Sequence, residues 1–419
     1  MKNAATRVAL CGATVIDGVG EVPLEDRVVV IEGDSIAAVG PREDARVRSL
    51  LRGAEVHELH GMTLMPGLID CHVHLCLRGV RGPDLQLQPP EKTALDALFN
   101  AQQQLKHGVT TVRDLGGIGH IDIALREAIA RGDVLGPRVI ASGEYIRMTG
   151  GHGSVSSVRA DGVAEALRVT RRQLEAGADW IKIMASGGQS RPNETPTDPE
   201  FTREELRAII TEALDHSRPV AVHEHGSKQL KDTLLSGVRT LEHGTYLDQE
   251  VVDIMAERQV ALCPTGLAYY KQATNENGDV PAWKADRAKV IWAAKQDSIR
   301  RALRAGVRVI AGSDSCFTVS HGEGGREIAV LVELGLSSMG AVKAATSVAA
   351  EVLGLTEVAG RVEPGLKADL IVIQGDPLQD LAVLGRAPWG IVQGGTMRKW
   401  PGLARFGQPA QGPRRRGAP

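Results

Sequence analysis

The sequence predicts a (β/α)8 barrel inserted into a small discontinuous β-sandwich domain built from both ends of the chain. Three observations lead there. Between residues 62 and 357, apolar strand-like runs alternate eight times with helical patterns, as parallel strands and their covering helices do. Residues 1–61 and 358–402 carry short β-type runs punctuated by tight turns. Histidines, a lysine and an aspartate fall at the C-terminal ends of the central strands, the end at which such barrels carry their chemistry. A doubly wound open sheet would also alternate, but no glycine-rich fingerprint follows the first strand.

In chain order, Val8 to Ile16, Arg27 to Glu32 and Ser35 to Val39 are β-type runs separated by Asp17-Gly18 and Glu32-Gly33-Asp34. The barrel strands are expected at 64–75, 110–115, 138–142, 180–185, 219–223, 240–243, 260–264 and 308–313. Helical patterns cover 93–107, 121–131, 161–176, 202–216, 227–236, 248–258, 285–304 and 338–353. Lys367 to Ile373 and Trp389 to Gly395 return to β character and complete the small domain as scaffold. Residues 403–419 are rich in Pro, Gly and Arg and read as a flexible tail, with Arg414–Arg416 as a solvated end. The loops at 186–196 and 265–283 are long; the first could close as a lid and the second could set side-chain preference.

Composition narrows the function. Of 419 residues, 42% are hydrophobic and 24% charged, ordinary for a soluble globular chain. The formal net charge of -2 argues against nucleic acid or an anionic membrane as partner, and 3% aromatics leave little for stacking bases. Five widely spaced cysteines without a CxxC form neither a disulfide framework nor a zinc knuckle, which fits a reducing compartment. No apolar run near ~20 residues and no leader-like N-terminus is seen, so the expected location is cytoplasmic.

The chemistry begins in Met65-Pro-Gly-Leu-Ile-Asp-Cys-His-Val-His-Leu75. Residues two apart on a strand share a face, so His72 and His74 aim two imidazoles together, as a metal site requires. One such pair means little without further donors on other strands. Lys182 in the fourth strand, His223 and His225 in the fifth, His243 in the sixth and Asp314 after the eighth supply them. In Trp180-Ile-Lys-Ile-Met184, alternation turns Lys182 toward the barrel axis. A lysine there is costly unless paired or chemically altered, and an ammonium cannot ligate a cation. It must therefore be neutral or converted to a carbamate. His223 and His225 share a face, and spacing alone does not choose between them.

His72-Val-His74, Lys182, His223, His243 and Asp314 resemble the metal set of the amidohydrolase superfamily. The likeness runs from PGLID-HVH to Gly360-Arg-Val-Glu-Pro-Gly-Leu-Lys-Ala-Asp-Leu370. Thr149-Gly-Gly-His-Gly153, Ala221-Val-His-Glu-His-Gly226, Leu241-Glu-His-Gly-Thr-Tyr246 and His321-Gly322 are similar to its prolidase-like subgroup. That subgroup contains metal-dependent carboxypeptidases and dipeptidases, with related amidases of the ochratoxinase type. The resemblance implies two divalent ions, usually zinc. His72, His74 and Asp314 would hold one, His223 rather than His225 would join His243 at the other, and carboxylated Lys182 would bridge them. It implies attack by a bridging hydroxide on an amide carbonyl, Asp314 shuttling the proton to the leaving nitrogen and Tyr246 donating to the oxyanion.

It further implies that His152, in its glycine-rich loop, binds the free carboxylate of a small-molecule substrate. His225 and His321 are then additional substrate-facing positions, and Arg147, Arg191 and Tyr269 further pocket candidates. Members are commonly homo-oligomers. The expected activity is hydrolysis of an amide or peptide bond beside a free carboxylate: a dipeptidase, carboxypeptidase or N-acyl amino acid hydrolase. Hydrolysis of another amide-like, cyclic, xenobiotic or phosphotriester bond is the alternative. A non-catalytic barrel is disfavoured because no donor is missing, and a mononuclear deaminase because such relatives typically lack the bridging lysine.

Overall fold

A computed structural model describes residues 7–78, 88–276, 278 and 280–398. The expected flexible tail at 403–419 lies outside the described residues. The chain divides into two compact units: Met1–Pro66 with Arg361–Asp376 and Ala387–Pro419, and Gly67–Gly360 with Pro377–Arg386.

In the first unit eight strands join in one hydrogen-bonded sheet. Its order is Thr396–Arg398, Gly390–Gln393, Leu370–Gln374, Met62–Pro66, Arg7–Val15, Leu24–Glu32 and Ser35–Gly40, with Glu55–Glu58 also pairing Arg7–Val15. Alternation along Arg7–Val15 serves two cores. Val8 and Leu10 pack with Leu370, Val372 and Val392, while Ala9 and Cys11 pack with Val28 and Val47. Val47 lies on the short helix Ala45–Leu51, whose Asp44 cap accepts from Arg46 and Val47 backbone N–H groups.

The second unit is the barrel. Its first seven strands are Leu68–Val73, Val109–Asp114, Arg138–Ala141, Ile181–Met184, Val220–Glu224, Thr240–His243 and Ala261–Cys263. They pair in parallel. Between the third and fourth, Asp179 N donates to Ala141 O at 2.8 Å, and the added strand Tyr145–Arg147 pairs with the fourth. The expected eighth strand is not a regular one. The stretch 308–315 closes the ring by isolated bridges, with Ile310 N on Leu262 O at 2.9 Å and Cys71 N on Ala311 O at 2.9 Å.

The expected first strand, 64–75, is two. Met62–Pro66 pairs with Leu370–Gln374 in the small sheet, and the barrel strand starts at Leu68. The break falls at Gly67, where a Cβ would stand 2.2 Å from Thr110 Oγ1. The expected helix 338–353 likewise divides into Ser338–Ala344 and Ser347–Leu353, and part of the 265–283 loop is the helix Gly266–Thr274. No helix among the described residues is long and apolar enough to cross a membrane.

Candidate metal centre

His72 lies in the first barrel strand and His74 just past its end. His72 Nδ1 lies 2.8 Å from Glu242 Oε2. The other Glu242 oxygen accepts from Arg113 Nη2 at 2.8 Å. Arg113 also donates to Cys71 O at 2.7 Å and to Thr240 Oγ1 at 2.9 Å, with its guanidinium over the Trp180 ring. All three polar side chains are buried. Burial alone would raise the Glu242 carboxyl, but Arg113 and the His72 bond hold it well below the carboxylate range. A carboxylate accepting Nδ1–H fixes the ring and leaves His72 Nε2 as the free donor atom.

That nitrogen is 3.8 Å from Asp314 Oδ1, and His74 Nε2 is 3.5 Å from the same oxygen. One ligand atom from each of His72, His74 and Asp314 falls within 4.8 Å of the others. His72, Glu242 and Cys263 meet the same distance test, but Glu242 is already spent on Arg113 and His72, and burial pushes the Cys263 thiol far up. The first group fits a cation better.

His223 Nε2 lies 3.2 Å from Gly187 O, leaving Nδ1 available. His243 Nδ1 lies 2.7 Å from Thr265 Oγ1, leaving Nε2. The two ring centroids are 4.4 Å apart. His225 differs: Nδ1 meets Thr245 Oγ1 at 2.7 Å and Nε2 meets Tyr269 Oη at 3.1 Å, so both nitrogens are engaged. It stacks on His243 at 5.1 Å. Burial and neighbouring positive groups hold His223, His225 and His243 well below the ordinary histidine value, and His72 is lowered to about 4 by burial and then by Lys182. Neutral imidazoles are the form that binds metal.

Lys182 is 1% exposed, and its Nζ has no hydrogen-bond partner. It acts electrostatically on His72, His223, His243 and Asp314 alike. Burial lowers its amine to about 8, against the opposing pull of Glu242. An orphaned amine among imidazoles and a carboxylate fits a site that holds cations through a modified lysine.

Two of these residues depart from ordinary backbone. His243 has φ +75° and Asp314 φ +54°. Strict alternation would set Thr240 and Glu242 on one strand face and His243 on the other; the left-handed residue at the strand end re-aims it. This was not legible as a pattern.

The loop residues gather around His152. Its ring stacks on His223 at 4.6 Å, and its Nδ1 meets Glu194 Oε1 at 2.5 Å. Its backbone N donates to Glu200. Gly188 packs against the ring, where a Cβ would stand 2.3 Å from Cε1. Glu194 also accepts from the N–H groups of Gly188, Ser190 and Arg191. Burial would raise Glu194, but the His152 bond and charge bring it down to about 2. Arg287 then ties the loop from outside, donating to Arg191 O, Pro192 O and Glu194 O. Nothing in the local sequence marked Glu194 as a partner for a residue 42 positions earlier.

The remaining candidates spread out. Arg147 donates to Ser157 Oγ and Met148 O, and Arg191 to Gly150 O, so both hold loop backbone. His321 Nε2 lies 3.1 Å from Leu77 O and Nδ1 3.5 Å from Gln104. Tyr246 is 38% exposed, and its backbone N donates to His225 O.

The Arg113–Glu242 pair has a testable cost. Arg113→Met is expected to lower stability by about 3–5 kcal/mol in urea unfolding, because Glu242 stays buried without its counter-charge. Arg113→Met/Glu242→Leu should recover most of that while loosening His72.

Comparison with known proteins gives the family. Residues 63–394 match the family model described as the amidohydrolase family. Over 439 aligned residues the chain is 30% identical to ochratoxinase of Aspergillus niger, covering 95% of this chain and 88% of that one. The crystal structure of A. niger ochratoxinase superposes with a TM-score of 0.85 at 28% identity, covering 98% of this chain and all of that one. A Xaa-Pro dipeptidase with methionine bound in its active site gives 0.85 at 29% identity, and a prolidase complexed with N-methylphosphonate-L-proline gives 0.86 at 30%. Each covers 94% of this chain and 100% of the other. The chain belongs to the amidohydrolase family, generally metal-dependent enzymes, and is a hydrolase of C–N bonds built on the (β/α)8 barrel with an additional β domain.

Proposed function

We propose that this enzyme is a binuclear amidohydrolase cleaving an amide or peptide bond beside a free carboxylate, as a dipeptidase, carboxypeptidase or N-acyl amino acid hydrolase, ochratoxin-like amides included. The observation that carries the two-ion part is Lys182, buried and unpartnered among four other candidate donors. His72, His74 and Asp314 would hold one zinc ion, His223 and His243 the other, with carboxylated Lys182 between them. Such a pair supplies a nucleophilic hydroxide at neutral pH and polarises the carbonyl.

The chain's own groups do the rest. Asp314 takes the proton of the attacking water and passes it to the leaving nitrogen, which departs poorly as an anion. Tyr246, partly exposed and tied by its backbone N to His225 O, donates to the developing oxyanion. His152 meets the substrate carboxylate through Nε2, its other nitrogen being held by Glu194. Methionine and the proline phosphonate in the related structures both carry a free α-carboxylate, which supports this reading. With their ring nitrogens engaged, His225 and His321 support neighbouring groups, His225 through its stack on His243. All five cysteines are free, in keeping with a reducing cytoplasmic setting. The homo-oligomeric state is proposed from the resemblance alone.

Elemental analysis tests the core of this reading: two zinc ions per chain, with activity of the stripped enzyme restored by zinc plus bicarbonate. A single ion, or restoration indifferent to carbon dioxide, would remove the bridging role. His152→Ala should raise KM for free-acid substrates by about 10–100-fold, the worth of a charged hydrogen bond, and that for their methyl esters far less. Gly188→Ala should act in the same direction, because the new methyl displaces the His152 ring. Equal effects on acid and ester would sink the carboxylate assignment.

A further inference from the structure

Among the described residues, Arg113, Lys182 and Lys295 are the largest fully buried side chains. Glu242 neutralises the first, and the cage accounts for the second. Lys295, on the helix Ala282–Arg304, serves neither purpose. Among the described residues it forms no ion pair with a carboxylate. Its Nζ donates to His243 O at 2.6 Å and Pro264 O at 2.7 Å, and lies 4.5 Å from the centroid of the Tyr269 ring.

Those carbonyls leave the sixth and seventh barrel strands. At both exits the backbone is left-handed, with φ +75° at His243 and +49° at Thr265. For a β-branched threonine this is a true outlier. Such a residue persists only where its surroundings impose it. The same two residues are joined side chain to side chain, Thr265 Oγ1 to His243 Nδ1. One amine therefore bonds the main-chain oxygen of His243 and that of Pro264, the residue before the threonine that bonds the His243 ring. The two donations need only N–H bonds and do not depend on the charge of the group.

We infer that Lys295 is a positioning residue for the His223–His243 half of the cage, fixing both strand exits so that the His243 imidazole stays against His223. The inference rests on the two-ion reading above. It distinguishes the halves, since His72, on the first strand, is held by Glu242, whereas the two bonds of Lys295 go to His243 O and Pro264 O.

The test uses the full chain loaded with zinc in the presence of bicarbonate, then challenged with increasing chelator while bound ions are counted. Melting of the metal-free protein is followed alongside. Lys295→Met removes the donors and keeps the stem; Lys295→Gln keeps two N–H donors on a side chain one bond shorter. In Lys295→Met one ion should leave at about 10–100-fold weaker chelation than in wild type, the usual effect of losing support behind a ligand, while the other is held as before. Lys295→Gln should fall between. Equal weakening of both ions, or no change in either, overturns the inference, as does an unsplit result in Lys295→Gln if the Met variant fails to fold. A wild-type chain that binds fewer than two ions would instead remove the two-ion reading on which the inference stands.

Discussion

Lys182→Ala should leave the enzyme with one tightly held ion and turnover lowered on the order of 10³-fold or more, as when several catalytic parts depend on a single group. The amine is buried and bonded to nothing, yet it acts on three histidines and Asp314 together. Its conversion to a carbamate would turn an unfavourable burial into a bridging anion, and alanine offers no nitrogen for that conversion. Bicarbonate should not restore the variant. Acetate, which supplies two carboxylate oxygens to the space vacated, should recover part of the activity. A companion variant separates function from stability. Lys182→Met fills the space without an amine, so the metal-free protein should melt no lower than wild type, since burying an unsatisfied polar group costs about 1–3 kcal/mol. Full turnover in either variant, measured with elemental analysis on the same sample, would end the bridging assignment.

Asp314→Asn is expected to lower kcat by about 10²–10⁴-fold, the range for removing a positioned acid–base group, with a smaller effect on KM. The substitution is nearly isosteric. Asparagine also accepts φ +54° with little strain, so the barrel should be undisturbed. Circular dichroism of the metal-free variant should match wild type, because the exchange keeps both the shape of the side chain and its backbone conformation. Substrates with better leaving groups, such as activated anilides, should lose less, because their nitrogen needs less help from a proton. A variant equally impaired on all leaving groups would confine Asp314 to holding the ion.

The sequence carried the barrel because hydrophobic alternation is a property of each strand by itself. It also carried His72, His74 and Lys182, whose faces follow from simple period-two geometry. It did not show that Gly67 parts the first run into two sheets, because that depends on Thr110 approaching from another strand. Nor did it show that residues 308–315 close the ring by isolated bridges instead of a regular strand. The supporting partners were the least legible. Glu242 stands beside His243 in sequence but serves His72, from 170 positions away. Lys295 occupies a helical position that reads as one more basic residue in a long amphipathic segment. Such roles are set by which groups meet across the barrel, and one chain read alone carries no mark of them.

The stretch read as a possible closing flap has its own consequence. Its turn is wound around the Glu194 carboxylate and laced to Arg287, so its amides should behave unlike those of a surface loop. In deuterium, Gly188, Ser190 and Arg191 should swap their hydrogens slowly, and Glu194→Ala should free all three at once. Traffic of reactant and product would then have to pass by some other gap in the rim, and attempts to broaden what the enzyme accepts would do better to begin elsewhere.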